Sequence, residues 1–225
     1  MLSLIVPLYN EERGVFSLYT GLKAAMEKTR EYEIILVDNG SKDGTGKEID
    51  AIAKTDPHVK KIAVPINNGY GYGIRKGLEA ANGEFLGWID GDLQYDPETI
   101  VVLLEKLKNG FDVGMAERVG REDGMKRTVL SKGYSLIARW LFSIPIKDIN
   151  CKPKLMTRKA YQSMRLSSND WFIDTEVLAQ TAKNRLKIAT TPLVLRKRGT
   201  GKSNVKNAVI IEFLRNLLNH KAGKK

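Results

Sequence analysis

Apolar runs alternate with amphipathic stretches along the first 120 residues of the chain. Five short apolar runs, bounded by polar and turn-forming residues, predict strands at 2–8, 33–38, 59–64, 85–90 and 111–116. The stretches between them predict helices at 11–29, 44–55, 72–82 and 97–109. Because strands that alternate with helices form βαβ units, the pattern predicts an α/β fold with a mainly parallel central sheet flanked by helices.

The pattern changes after residue 120. Helices are predicted at 126–143, 158–165 and 173–184, followed by a strand at 187–195 and a last helix at 205–219. The short segment 152–157 is assigned to neither type. A length of 225 residues fits one domain with an appendage. We therefore expect a single domain at 1–204 and a basic amphipathic helix and tail at 205–225.

Polar residues follow the end of each predicted strand. These groups are Tyr9–Glu11, Asp38–Ser41, Asn67–Gly69, Asp90–Asp92 and Glu117–Arg118. In open parallel sheets, ligands bind beyond the carboxyl ends of the strands. The sequence therefore predicts that one edge of the sheet collects these groups into a binding site.

Asp90, Asp92 and Gln94 directly follow the apolar strand at 85–90. Carboxylate and amide oxygens suit a hard divalent cation such as Mg²⁺ or Mn²⁺, which one or two carboxylates usually hold together with substrate phosphates. The spacing predicts a metal site for a nucleotide diphosphate. Asp96 and Glu98, by contrast, fit the start of a helix at Pro97.

The stretch from Asp38 to Thr45 is a weaker signal. Aspartate, asparagine and glycine favour turns, and Asp43 or Thr45 suits the start of a helix. A carboxylate at a strand end also accepts hydrogen bonds from a base or a ribose hydroxyl. Both interpretations of Asp38 remain open on this pattern alone.

The net charge of +11 is concentrated at the end of the chain. From Arg185 onward there are 11 lysines and arginines and one acid, Glu212. Such a tail suits a polyanion, an anionic membrane surface, a phosphorylated substrate or a solvated face. Because the tail lacks interleaved aromatic residues for base stacking, we expect no nucleic-acid partner.

Compartment signals are few. Cys151 is the only cysteine, which excludes an internal disulfide and fits a reducing compartment. The start of the chain lacks the basic segment of a secretory signal, and no apolar run reaches the length of a spanning helix. We therefore expect a cytoplasmic location.

Several motifs occur in an order that resembles the family 2 glycosyltransferases of the GT-A fold. They are "IVPLYNEE", "ILVDNGSKDGT", "NNGYGYGIRKGLEAANGEF", "WIDGDLQYDPE", "AERVGREDG", "KDINCKPKLMTR" and "RKRGTGKSN". The set looks most like the branch that makes polyprenol-phosphate (dolichol-phosphate) mannose or glucose. The resemblance covers roughly residues 2–205 and is most specific in the first 100.

The resemblance implies roles for single residues. The nucleotide of a GDP- or UDP-hexose donor would lie against Pro7, Tyr9, Glu11 and Asp38, with Asn68 nearby, and the metal on Asp90, Asp92 and Gln94. The phosphates of donor or acceptor would lie against Arg118 and Arg198, with Arg127 or Lys132 and with Ser203. Arginine suits this task because its planar guanidinium binds phosphate through two parallel hydrogen bonds.

The implied reaction is metal-dependent, inverting transfer of a hexose to a polyprenyl phosphate. In that branch the acceptor is already anionic and needs no general base, so Asp92 and Arg118 would carry the catalysis. The alternative is transfer to a saccharide hydroxyl, which requires a carboxylate base. Asp174 and Glu176 are the candidates for that base, and both also fit the first turn of a helix.

Two positions differ from the family pattern. Asn39 stands where mannosyltransferases often carry a second aspartate, and "NCKPK" (150–154) replaces a Ser-Gly-Phe-like turn. The apolar segment 134–146 and the basic last helix favour either packing on the sheet or contact with an anionic membrane surface. On the second interpretation, the protein lies at the cytoplasmic face of the membrane that holds its acceptor.

Overall fold

The computed structural model describes residues 1–92, 94–119 and 125–194, and for residues 125–132 it describes the backbone alone. The described strands are β1 (Leu2–Leu8), β2 (Tyr32–Asn39), β3 (Val59–Val64), β4 (Phe85–Trp88), β5 (Val113–Arg118), β6 (Lys154–Thr157) and β7 (Ile188–Leu193). The described helices are α1 (Val15–Met26), α2 (Thr45–Thr55), α3 (Tyr70–Ala80), α4 (Glu98–Lys108), α5 (Met125–Phe142), α6 (Arg158–Gln162) and α7 (Ile173–Lys183), with a 3₁₀ turn at Glu27–Thr29. The predicted last helix lies outside these residues.

The strands form one sheet in the order β3-β2-β1-β4-β6-β5-β7. Strand β6 runs antiparallel to both of its neighbours, and the other pairs are parallel. The predicted α/β fold with a mainly parallel sheet is therefore confirmed. Strand β6 is the element that the sequence pattern left unassigned.

The central strands carry nearly continuous apolar runs because helices cover both faces of the sheet. Leu4 and Val6 of β1 lie in the hydrophobic core on one face, and Ile5 lies in the core on the other. Successive side chains of a strand point to opposite faces, so a strand buried on both sides needs an unbroken apolar run. This explains why β1 and β2 are among the clearest predictions.

The sheet opens between β1 and β4 at its carboxyl edge. Pairing of β1 with β4 ends at Ile5, opposite Trp88, whereas pairing with β2 continues to Leu8, opposite Asp38. Backbone groups of alternate residues face the same neighbour, so Pro7 faces the β4 side, where pairing has ended. Its missing N–H therefore costs no ladder bond. A crevice between strands whose connections leave in opposite directions is the usual ligand site of such sheets.

Helix α5 follows β5 and contacts α7. The hydroxyl groups of Tyr134 and Thr175 join the two helices at 2.5 Å. Among the helices of the described residues, none has the combined length and apolar character needed to cross a bilayer.

Candidate functional site

The structure brings the predicted polar groups to the carboxyl edge of the sheet. Tyr9 and Glu11 follow β1, Asp38 lies near the end of β2, and Asn68 lies in the exposed loop after β3. The acidic group follows β4, and Arg118 ends β5. This arrangement agrees with the prediction that one edge of the sheet collects the polar groups that follow the strands.

The loops after β1 and β2 are joined by hydrogen bonds. The amide of Glu11 donates to Oγ1 of Thr45 at 2.9 Å, and the amide of Lys42 donates to Oδ1 of Asn10 at 2.8 Å. Asp38 accepts a hydrogen bond from the amide of Ser41 at 3.0 Å. The segment that carries Tyr9 and Glu11 is thereby fixed beside the segment that carries Asp38.

Asn39 has a structural reason to be an asparagine rather than an aspartate. Its side chain is 3% exposed, and its Nδ2 donates to the carbonyl of Gly69 at 3.0 Å. An aspartate cannot donate this bond. Gly69 directly precedes α3 with φ of 105°, and a Cβ there would lie 2.3 Å from the carbonyl oxygen of Asn169. Asn39 therefore ties β2 to a backbone position that only glycine fills without strain.

Asp90 is held by two hydrogen-bond donors and by one ammonium group at ion-pair distance. Its Oδ1 accepts from the hydroxyl of Tyr70 at 2.5 Å, and its Oδ2 accepts from the hydroxyl of Tyr95 at 3.2 Å. The ammonium of Lys152 lies 3.6 Å from Oδ2. Burial and the charge of Asp90 raise the pKa of Tyr70 and Tyr95 well above the ordinary value, so both hydroxyls stay protonated as donors.

The residues after Asp90 form a tight turn. A Cβ on Gly91 would lie 2.5 Å from Cδ2 of Leu8, so glycine lets the turn lie against the end of β1. Oδ1 of Asp92 accepts a hydrogen bond from the backbone amide of Gln94 at 3.2 Å, which holds the two residues close together.

Within the described residues, no three His, Cys, Asp or Glu side chains are grouped to hold a metal ion. A cation here would need the amide oxygen of Gln94 and oxygens of a substrate in addition to Asp90 and Asp92. Mg²⁺ and Mn²⁺ are commonly bound in this way, by a few protein oxygens and substrate phosphates. The set of oxygen donors therefore fits such an ion.

A buried cluster of charges lies behind Asp90. Nζ of Lys152 is 2.8 Å from Oδ2 of Asp174, and Nζ of Lys154 is 2.7 Å from Oδ1. Lys152, Lys154 and Asp174 are 3%, 0% and 1% exposed. Burial favours the neutral form of Asp174, but the two ammonium groups outweigh burial and lower its pKa.

The pKa values of the two buried lysines shift in opposite directions. Burial disfavours the charged form of each, but Asp174 and Asp90 together outweigh it and raise the pKa of Lys152. For Lys154, burial outweighs Asp174 and lowers the pKa. The ammonium of Lys154 also donates to the carbonyl of Cys151 at 2.9 Å.

These contacts argue against Asp174 as a general base. Its carboxylate is almost completely buried, is paired with two lysines and has a lowered pKa. Glu176 is equally buried, at 0% exposure. It accepts from the amides of Ser167 and Ser168 at 3.0 Å and from the hydroxyl of Ser167 at 2.9 Å. Both acids are buried at 1% exposure or less and are held by partners inside the fold, out of reach of an acceptor hydroxyl.

The loop fixed by Glu176 reaches the metal-site candidate through two aromatic rings. Trp171 stacks on Tyr70 with ring centroids 4.0 Å apart. The carbonyl of Asn169 accepts from the amide of Tyr72 at 3.0 Å, so the loop also closes on the start of α3. Lys152 lies 5.1 Å and 5.4 Å from the centroids of Tyr70 and Trp171, a cation–π distance.

Arg118 forms a bidentate ion pair with Asp148. Its Nε and Nη2 donate to the two carboxylate oxygens, the second at 2.7 Å. Burial alone would lower the pKa of Arg118, but Asp148 outweighs burial and raises it. The pair uses two of the five N–H groups of the guanidinium. Among the remaining predicted phosphate contacts, Arg198 and Ser203 lie outside the described residues, as do the side chains of Arg127 and Lys132.

Sequence reasoning missed the residues that support Asp90. They are Tyr70, Tyr95, Lys152, Lys154 and Trp171. One signal was present, because "NCKPKLMT" and "WFIDTEVL" each place charged residues inside otherwise apolar segments. Charges buried in apolar surroundings are paired, so two lysines and an aspartate of this kind indicate a buried ion pair.

Comparison with known proteins gives a family match. The family model "Glycosyl transferase family 2" matches residues 3–174. A dolichol-phosphate mannosyltransferase of Saccharomyces cerevisiae is 31% identical over 236 residues, covering 96% of this chain and 85% of the yeast protein. The uncharacterized glycosyltransferase YkcC of Bacillus subtilis is 35% identical over 176 residues, covering 76% of this chain. The matched region is 54% of the Bacillus protein, or about half its length.

Solved structures share the fold. Glucosyl-3-phosphoglycerate synthase from Mycobacterium tuberculosis, in complex with Mn²⁺, UDP-glucose and phosphoglyceric acid, superposes with a TM-score of 0.78 at 20% identity. The match covers 100% of this chain and 80% of that one. The predicted GT-A fold is confirmed by this likeness.

Proposed function

Because the chain belongs to glycosyl transferase family 2, we propose that it transfers a hexose from a nucleotide-diphosphate sugar to a polyprenyl phosphate. The observation that carries this choice of acceptor is the burial of Asp174 and Glu176. A hydroxyl acceptor needs a carboxylate to remove its proton, and both candidate bases are almost completely buried and held by partners inside the fold. A phosphate acceptor is already anionic and makes no such demand.

The donor site lies at the opening between β1 and β4. Pro7, Tyr9, Glu11 and Asp38 would line the nucleotide, and Asn68 would approach it from the loop after β3. Asp90, Asp92 and Gln94 would hold Mg²⁺ or Mn²⁺ on the diphosphate. When bound, the cation neutralises the charge that builds on the departing diphosphate. The mycobacterial structure, which contains Mn²⁺ and UDP-glucose on the same fold, supports this placement.

The chain's own contribution to the reaction is positioning and charge. A phosphate oxygen of the acceptor forms a bond to the anomeric carbon as the bond from that carbon to the diphosphate oxygen breaks, which inverts the configuration. No proton moves in this exchange. Arg118 would meet a phosphate with the N–H groups that Asp148 leaves free, and Arg127, Lys132, Arg198 and Ser203 remain proposed contacts.

The acceptor lipid implies work at a membrane surface. Helix α5 exposes three large apolar side chains near helical spacing, since Leu136, Ile137 and Trp140 are 64%, 42% and 78% exposed. Tryptophan is favoured at the boundary between lipid and water. We assign this face of α5 to peripheral contact with the cytoplasmic surface of the acceptor membrane.

A transfer assay tests the proposal. Purified protein is incubated with Mn²⁺ and radiolabelled GDP-mannose, GDP-glucose, UDP-glucose or UDP-galactose, each with polyprenyl phosphate in detergent or with a soluble oligosaccharide. We expect label in the lipid fraction for one nucleotide sugar and its loss when Mn²⁺ is chelated. Label in the oligosaccharide alone would favour the hydroxyl-acceptor alternative, and no transfer to either acceptor would contradict the proposal.

A further inference from the structure

The segment that leads into β6 places a lysine directly behind the carboxylate of Asp90. Lys152 lies 3.6 Å from Oδ2 of Asp90 and 2.8 Å from Oδ2 of Asp174. Lys154, two residues further on, contacts the other carboxylate oxygen of Asp174. Charged side chains therefore alternate in sign from the sheet edge into the interior, in the order Asp90, Lys152, Asp174, Lys154.

The two ends of the Asp90–Lys152 contact differ in access to water. The side chain of Asp90 is 17% exposed, whereas that of Lys152 is 3% exposed. The rings of Tyr70 and Trp171 lie against the ammonium of Lys152 and keep solvent from it. An incoming cation therefore meets Asp90 from the edge, with Lys152 on the buried side. Charges that water does not reach are weakly screened, so Lys152 acts on that cation at close range.

The groups behind Asp90 carry a net positive charge. Asp174 neutralises one of its two lysines, so Lys152, Asp174 and Lys154 together leave one positive charge. That charge opposes a divalent cation on Asp90. A nucleoside diphosphate would bring negative charge of its own to the same place and offset the opposition.

We propose that Lys152 is a positioning residue that holds Asp90 in place and keeps the donor-free pocket a weak metal site. The inference rests on the proposed function, because it takes Asp90 and Asp92 as the metal carboxylates. As a consequence, a divalent cation would bind firmly only together with the donor diphosphate and would leave with the product diphosphate. Lys154 and Asp174 serve as the buried anchor of Lys152.

Mn²⁺ binding to the nucleotide-free protein tests this inference directly. Free Mn²⁺ is measured by electron paramagnetic resonance during titration of the wild-type protein, Lys152→Met, Lys154→Met and Asp174→Asn. Removing the positive charge next to Asp90 should tighten Mn²⁺ binding at least about fivefold in Lys152→Met. Lys154→Met removes a positive charge that pairs with Asp174 but leaves Lys152 in contact with Asp90. It should therefore tighten Mn²⁺ binding by a smaller factor. Asp174→Asn adds a net positive charge and should weaken binding.

A purely structural cluster predicts a different result. In that case Lys152→Met and Lys154→Met both loosen the fold, and both weaken Mn²⁺ binding to a similar degree. Thermal unfolding of each variant separates loss of fold from loss of binding. If Asp174→Asn does not fold, the comparison of the two methionine variants decides the question, because each retains a neutral ion pair.

Equal shifts in the two methionine variants, or weaker binding in Lys152→Met, would overturn the inference. So would the lack of Mn²⁺ binding by both the wild-type protein and Lys152→Met. A second titration with excess GDP or UDP then separates the two proposals. Nucleotide-dependent Mn²⁺ binding by the wild-type protein would leave the proposed function standing, whereas its absence would remove the metal site altogether.

Discussion

The ring of Trp171 stacks on the ring of Tyr70, and the hydroxyl of Tyr70 donates to Asp90 at 2.5 Å. These contacts connect the loop before α7 to the carboxylate that we place at the donor diphosphate. The loop itself depends on Glu176, whose carboxylate accepts from Ser167 and Ser168. The position of Asp90 is therefore sensitive to a residue that does not contact it.

Glu176→Gln should reduce both stability and activity. The amide keeps one acceptor oxygen and brings its NH₂ group to the donors of Ser167 and Ser168, so we expect a loss of about 1–3 kcal/mol in the free energy of unfolding. Urea denaturation measures this loss. Glu84→Gln, the same chemical change at an exposed position before β4, is the matched control. Full stability with abolished turnover would instead indicate that Glu176 is the base.

Asn39→Asp should destabilise the protein although the two side chains have the same size. The variant loses the donor to the carbonyl of Gly69 and buries a carboxylate at a site that is 3% exposed, which we expect to cost about 2 kcal/mol or more. Chemical denaturation at pH 7 measures the change, with the exposed Asn68→Asp as a control. An Asn39→Asp protein as stable as the wild type would show that the residue is free to vary.

How well the sequence predicts each part of the structure depends on whether neighbouring or distant residues determine it. Strands β1 and β3 match their predicted bounds because an apolar run between turn residues is decided by neighbours in sequence. The edge that carries Asp38, Asp90 and Arg118 follows from strand order alone. The segment 152–157, which contains β6, stayed unassigned, and only contacts with the distant Asp174 explain the burial of Lys152 and Lys154.

Asp92→Asn should remove metal-dependent binding of a nucleoside diphosphate. The variant keeps the turn but loses one of the two carboxylates at the end of β4, so we expect at least about tenfold weaker binding of GDP or UDP with Mn²⁺ present. Isothermal titration calorimetry measures nucleotide affinity with and without Mn²⁺, and the affinity without Mn²⁺ should change little. Asp96→Asn, at the acid whose Oδ1 accepts from the amide of Glu98, is the matched control. Equal losses in the two variants would point to general charge rather than a metal site.

Stability should fall in acid through Asp56. Burial would raise its pKa, but hydrogen bonds from His58, Tyr19 and Lys23 outweigh burial and lower it. A lowered pKa in the folded state stabilises the protein above the ordinary pKa of about 4, and this contribution is lost as the pH falls below that value. Urea midpoints between pH 7 and pH 3 should therefore fall less steeply in Asp56→Asn than in the wild type. Asp50→Asn, on an exposed ion pair with Lys61, should keep the wild-type slope.

Trp140→Glu should weaken membrane association. The side chain is 78% exposed, so the change places a charge where we expect contact with lipid and leaves the core intact. Flotation with liposomes that contain anionic lipids measures retention, and unfolding temperature checks the fold. Val102→Glu, at an exposed apolar position of α4, is the control. Retention that drops equally in both variants would indicate a general effect of charge rather than a membrane-facing side of α5.

The central claim is that Asp90, Asp92 and Gln94 hold a divalent cation on the diphosphate of a nucleotide sugar. Anomalous diffraction at the manganese edge, from crystals soaked with MnCl₂ and GDP or UDP, tests it most directly. We expect one manganese peak within coordination distance of the Asp92 carboxylate, about 2.0–2.3 Å, with diphosphate oxygens completing its ligands. A nucleotide bound at another edge of the sheet, or a diphosphate at this edge with no manganese beside Asp92, would contradict the account.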